Sequence, residues 1–140
     1  GIIAAIAIPN LLAARRSANE GSAISSLRTM HGANVTYQST TGNGRFATDM
    51  AALATANLID ATLSAATAST SAKSGYFYTY TGTYVTNNPS VFMVTAGPST
   101  ASGVTATGTR VFGIASEGVI IVNPTGTAST GLTGGTPLNN

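Results

Sequence analysis

The sequence predicts an α+β domain, in which a long N-terminal α-helix packs on a four-stranded antiparallel sheet. Three observations carry that expectation. From Arg16 to about Tyr37, apolar residues recur at three- and four-residue steps, the period of one helix face. Beyond Pro9 no strong breaker interrupts this stretch until Gly42-Asn43-Gly44. The second half then holds four short segments rich in aromatic and β-branched residues, separated by Gly, Asn and Ser turns.

A chain of 140 residues is the size of one compact domain. Its hydrophobic fraction of 43% is enough to build a core. Only 7% of residues are charged, against roughly a quarter in soluble domains. Thr, Ser, Asn and Gly must supply the rest of the surface, which suits a protein outside the cell, where interfaces or glycans replace charge. Net charge is +2, and no basic cluster exceeds the pair Arg15-Arg16. Nucleic-acid binding needs many phosphate neutralisers on one face, so no nucleic-acid partner is expected. Contact of Arg15, Arg16 or Arg28 with DNA is a minor reading. With no cysteine, disulfides, thiolate zinc sites and thiol nucleophiles are excluded.

The first fourteen residues, Gly1 to Ala14, are almost wholly apolar. After them the pattern turns amphipathic: Ile24, Leu27, His31 and Asn34 or Val35 form a stripe, while Arg16, Glu20 and Arg28 mark another side. Arg16 and Glu20 stand as i,i+4 partners, and Ser25, Ser26 and Thr29 fall on the polar side. One helix is expected from near the start to about Tyr37 or Ser39. It would be roughly 57 Å long at 1.5 Å per residue. A compact domain of this size has a diameter of only about 37 Å. The helix should therefore overhang its body by about 20 Å, close to the length of the apolar stretch. Leaving Ile2, Ile3, Ile6, Ile8, Leu11 and Leu12 in water would cost about 10 kcal/mol. Such a segment needs lipid or copies of itself.

Burial in an ordinary globular core fits the pattern alone equally well. A signal-peptide hydrophobic region lacks its basic flank and initiator Met here, and 10–14 apolar residues is short for a hydrocarbon span of ~30 Å. The absent Met is what a chain beginning inside a longer sequence would show. Pro9 removes the hydrogen bond to the Ala5 carbonyl and clashes with that turn, at a cost of ~3 kcal/mol. Gly1 weakens the other end, so the segment Gly1–Pro9 is expected to bend, or to unwind in part where neighbouring chains shield its backbone.

Region 40–74 reads as a connection with short helices. Thr48 is the expected N-cap of a helix through Ala54, with Asp49 favourably near its dipole. A second helical piece is expected over Leu58–Ala66, and Thr67–Ser74 reads as a small-residue loop. The sheet occupies 75–122, with strands at 76–81, 91–95, 110–115 and 119–122. Tyr76, Tyr78 and Tyr80 share one face, and Ser116-Glu117-Gly118 forms a turn. The loop Pro98–Gly108 and the tail 123–140 are rich in Gly, Thr and Ser and should lie on the surface.

Chemistry is sparse. His31 is the only histidine, and on a helix stripe it reads as a satisfied core group. Glu20, Asp49, Asp60 and Glu117 form no acid/base or calcium-loop pattern, and no Ser sits in a nucleophile motif. No enzymatic activity, cofactor or metal is expected. The aromatic run Tyr76–Tyr84 reads as sheet formers in preference to an electron path. Asn34-Val35-Thr36 is a glycosylation triplet, weak because it lies mid-helix, and exposed Ser/Thr in 67–71 or the tail are better acceptors.

The run Gly1-Ile2-Ile3-Ala4-Ala5-Ile6-Ala7-Ile8-Pro9-Asn10-Leu11-Leu12 closely resembles the second half of the N-terminal helix of bacterial type IV pilins and the related pseudopilins. The match is specific over these twelve residues and extends along the rest only as architecture. In that family a methylated aromatic N-terminus and a glutamate that pairs with a neighbour's terminal amine come first, so that contact falls on no residue of this sequence. The resemblance implies a ladle-shaped subunit. Its apolar half-helix, 1–14, sits in the inner membrane before the pilus assembly machinery acts and in the core of an extracellular homopolymer afterwards. The half 15–39 then packs on the sheet. Ile2, Ile3, Ile6, Ile8, Leu11 and Leu12 would pack the filament core, while Arg15, Arg16, Glu20 and Arg28, just beyond it, would bridge subunits or face solvent. The region 40–74 matches the variable connection that usually forms subunit contacts. A major pilin is the leading expectation. A type II secretion pseudopilin is the alternative, but the acid-free tail lacks the calcium-binding motif that major pseudopilins usually carry. A monomeric soluble domain with 1–14 buried internally is the third reading.

Overall fold

The computed structural model describes residues 2–124 and 132–138, with side chains from Ile8 onward. Helix α1 runs from Ile2 to Ser39 without interruption. Its end follows from the chemistry of the next five residues. Gly42 and Gly44 donate their amides to the Tyr37 and Gln38 carbonyls at 2.7 and 2.9 Å, closing the last turn. Asn43 and Gly44 take φ of 49° and 85°, a left-handed excursion that only Gly and Asn make cheaply.

Two short helices follow, α2 at Met50–Thr55 and α3 at Ala61–Ala65. The cap of α2 is Asp49 and not Thr48: the Asp49 carboxylate accepts from the Ala52 amide at 2.8 Å, and Thr48 only donates its hydroxyl to Asp49. A carboxylate outcompetes a hydroxyl as acceptor there because it is charged and faces the helix dipole. Asp60 caps α3 in the same way through the Leu63 amide, so that helix begins later than the expected Leu58. A single 3₁₀ turn at Ser69–Ser71 leads to the sheet.

The sheet has five strands where four were expected. They are β1 (Tyr76–Thr83), β2 (Val91–Pro98), β3 (Phe112–Ala115), β4 (Ile121–Val122) and β5 (Thr136–Pro137). The order is consecutive and every pair antiparallel, with Thr79, Thr95, Gly113, Ile121 and Pro137 aligned across it. The extra strand comes from the tail expected on the surface, where Thr136 and Pro137 do lie. Leu138 donates its amide to the Ile120 carbonyl at 2.8 Å and packs against the core, which holds Thr136 and Pro137 beside β4. Proline suits this outermost position, where its missing amide breaks no ladder.

The core lies between α1 and the inner face of the sheet. Ala23, Leu27, Met30 and Ala33 from the helix meet Tyr76, Tyr78, Phe92, Val94, Phe112 and Ile114, all buried. The buried stripe is rotated from the expected one. Ala23 and Met30 lie inside, Ile24 and His31 are half-buried, and Val35 is exposed. Small residues at 23 and 33 let the bulky aromatic sheet approach closely, and that steric fit outweighs the larger hydrophobic area of Ile24 and Val35. Ser26, expected on the polar side, is buried and shares a hydrogen bond with the Tyr78 hydroxyl. Phe92 stands at the centre, edge-on to Phe46 at 4.9 Å, stacked on Tyr80 at 6.0 Å and beside His31 at 5.8 Å. Aromatic pairs of this kind contribute about 0.5–1.5 kcal/mol each beyond their buried area.

Candidate assembly interface

The helix leaves its own body at Arg16. There the loop between β2 and β3 folds over α1 and is tied to it by polar contacts. Arg16 donates through Nε to the Ala106 carbonyl at 3.3 Å and through Nη2 to the Gly103 carbonyl at 2.8 Å. Asn19 donates to the Thr107 carbonyl at 2.9 Å. Glu20, only 7% exposed, accepts from the Thr109 amide on Oε1 at 3.1 Å and from both Nε and Nη2 of Arg110 on Oε2 at 2.9 and 2.8 Å. Burial pushes the Glu20 carboxyl up, but the Thr109 amide and the Arg110 guanidinium together outweigh it, so its pKa lies below the ordinary value. The loop expected on the surface is exposed over 100–105 but anchored at its end, with Ala106 and Gly108 buried.

Ahead of Arg16 the helix has little cover. Ile8 is 58% exposed and Leu11 71%, Leu12 is half-buried, and the other side chains from Pro9 to Arg15 face solvent. With the backbone helical back to Ile2, the projection is about 21 Å long at 1.5 Å per residue. The backbone stays helical through Pro9. Gly1 and the side chains of Ile2, Ile3 and Ile6 lie outside the described residues. Among the described residues, no helix is long and apolar enough to cross a membrane.

Of the four side chains expected as inter-subunit contacts, Glu20 and Arg16 bond within the chain. Glu20 pairs with Arg110 and not with Arg16: the folded loop brings the Arg110 guanidinium and the Thr109 amide to one carboxylate, while the Arg16 guanidinium is drawn to the Gly103 and Ala106 carbonyls. Arg16 is occupied by backbone carbonyls. Arg15 and Arg28 are exposed.

His31 is half-buried, with Nε2 3.4 Å from the Ser116 carbonyl, and joins no group able to hold a metal among the described residues. Asn34 cannot carry a glycan in this fold. It is fully buried, its amide donates to the Met30 carbonyl at 3.0 Å, and its oxygen accepts from Tyr80 at 2.7 Å and the Ala47 amide at 3.3 Å. Nothing in a local sequence triplet reveals that burial. Glu20, by contrast, carried a signal that could have been weighed: a carboxylate one helical turn before the buried Ala23–Leu27 stripe. Comparison of the chain with protein-family models, with curated proteins and with solved structures found no match.

Proposed function

We propose that this chain is a structural subunit of an extracellular helical filament of the type IV pilin kind, polymerising through the apolar projection of α1. The observation that carries the reading is the exposure of Ile8 and Leu11 on a helix that continues past its own body. Large apolar side chains in that position are stabilised only when lipid or another protein covers them. On this reading the inner membrane shelters them before assembly and sister helices do so afterwards. Proline and the helix-weakening glycine then make the first turns the place where local unwinding is cheapest once neighbouring chains pack around them. The scarcity of charge fits a surface mostly covered by copies of itself, and no catalytic role is part of the proposal.

Leu11→Lys tests it in the producing cells. Leu11 makes so little contact with the body that the variant should melt as the parent does. Surface filaments should be lost, because a charge in a packed apolar seam is costly. Filaments of normal number and length from this variant would overturn the reading. Short structures confined to the cell envelope in the parent strain would instead favour a secretion pseudopilin.

A further inference from the structure

The break that ends α1 also holds the chain's one Asn-Gly pair, Asn43-Gly44. Asparagine before glycine is the dipeptide most open to attack on its own side chain. Glycine has no Cβ to keep the following amide nitrogen away from the Asn carboxamide carbon. Every other asparagine with a residue after it is followed by one that carries a Cβ. Asn43 faces solvent, so water and base reach its side chain.

Hydrogen bonds bracket this pair on both sides. The Gly44 amide donates to the Gln38 carbonyl at 2.9 Å, and Gln38 Nε2 donates back to the Gly44 carbonyl at 3.1 Å. The Arg45 amide closes on the Gly42 carbonyl at 3.0 Å, across Asn43, which takes φ of 49°. The nitrogen that would attack is therefore held on a carbonyl and keeps its proton there. To reach the Asn43 side chain it must leave that bond, and the turn must leave its left-handed shape.

We propose that Asn43 is a site of spontaneous deamidation whose rate is set by opening of the α1 cap. In the opened turn the Gly44 nitrogen gives its proton to solvent base and bonds to Asn43 Cγ, and the side-chain nitrogen leaves as ammonia. The cyclic imide then takes up one water at either carbonyl and reopens as aspartate or as isoaspartate. Both products act on the fold. Each places a negative charge at the C-terminal end of a helix, where the dipole opposes it, and lowers the net charge of +2 by one. Isoaspartate also routes the main chain through the former side chain, so the Gly44 and Arg45 amides no longer meet their carbonyls. The next residues carry that change inward: Arg45 lies over the Tyr84 ring at 3.7 Å, and Phe46 meets Phe92 at 4.9 Å. Modification therefore loosens the end of α1 from the sheet. None of this depends on the filament reading.

Ageing the full chain in detergent at neutral pH, with peptide mass spectrometry and labelling by an isoaspartyl methyltransferase, follows the reaction. The chain unfolded in guanidinium chloride should convert Asn43 about ten-fold faster or more than the folded chain, because opening of the cap then costs nothing. In Gly42→Ala the added carbon would stand 2.1 Å from the Arg45 carbonyl oxygen, so the turn must shift and the folded chain should deamidate several-fold faster. Asn43→Gly suits the same backbone and should abolish the isoaspartate signal. Hydrogen exchange gives a second measurement that needs no variant. At one temperature and rising, sub-denaturing guanidinium, deamidation should increase in proportion to the fraction of Gly44 amide open to exchange. Equal rates in the folded and unfolded chain, a folded Gly42→Ala chain no faster than the parent, or deamidation that ignores Gly44 exchange overturns control by the cap. Absence of isoaspartate at Asn43 in the unfolded chain overturns the site itself.

Discussion

Glu20 is a carboxylate on the helix whose partners lie ninety residues along the chain at Arg110 and next to it at Thr109. Its pKa in the fold is lowered from 4.5, so its stabilising contribution is complete above that value and disappears as pH falls through the lower folded one. Glu20→Gln should reduce stability at neutral pH by about 1–2 kcal/mol and flatten the acid limb of the melting-temperature profile. An acid limb identical to the parent's would mean that the pair contributes nothing. The opposite sign holds for the buried tyrosines. Burial raises Tyr76, Tyr78 and Tyr80 above the ordinary 10.0, with Glu20 adding to the effect at Tyr76. Their contribution is complete below pH 10 and is lost as pH rises beyond it, so phenolate absorbance should appear together with unfolding and not before it. Three polar residues, Glu20, Ser26 and Asn34, were read from the sequence as exposed or undecided and are buried. Their partners come from Thr109, Tyr78 and Tyr80, and no local pattern encodes contacts at such separations.

Among the elements, α1 and β1 were the most legible. Their periods are intrinsic to the backbone, and Gly42-Asn43-Gly44 supplies a stop that only special residues tolerate. The strand at Thr136–Pro137 was not legible, since two residues carry no period, proline disfavours a sheet, and its position depends on Leu138 reaching the core. The rotation of the helix stripe was hidden for a related reason: hydrophobic size predicts burial, whereas fit against an aromatic sheet selected alanines. Glycines separate intrinsic preference from fit by experiment. A side chain at Gly21 or Gly32 would meet nothing within 4 Å, so Gly→Ala at either site should stabilise by about 0.5–1 kcal/mol through helix propensity. At Gly82 the added carbon would stand 2.1 Å from the Ala47 carbonyl oxygen, so Gly82→Ala should destabilise by about 1–3 kcal/mol. Thermal melts of the three variants check both signs, and a stabilising Gly82→Ala would show that the Ala47 segment can retreat from β1.

For the molecule as a whole, the decisive quantity is the mismatch between a 38-residue helix and the body it serves. Only the part from Arg16 onward has a core to join, and residues from Ile8 to Arg15 are left as a rod whose apolar stripe faces water. The length of that mismatch was readable from the sequence, because a helix's rise per residue and a domain's radius are both nearly fixed, but hydropathy left internal burial of the apolar run equally open. The seating of the Ser116–Glu117 turn on the helix was not readable, since it depends on a contact between Ser116 and His31, 85 residues apart, that no local pattern encodes. Exposure of Ile8 and Leu11 has a direct hydrodynamic consequence. Burying each on association contributes about 1.5–2 kcal/mol, repeated at every contact along a polymer. The intact chain should therefore sediment as large assemblies without detergent and disperse when detergent shields the helix. Ile8→Lys combined with Leu11→Lys should sediment as a monomer under the same conditions and keep the parent's melting temperature in detergent, because neither side chain supports the body. A parent chain that remains monomeric at micromolar concentration without detergent would show that water alone accommodates the rod, and the force proposed to drive assembly would be absent.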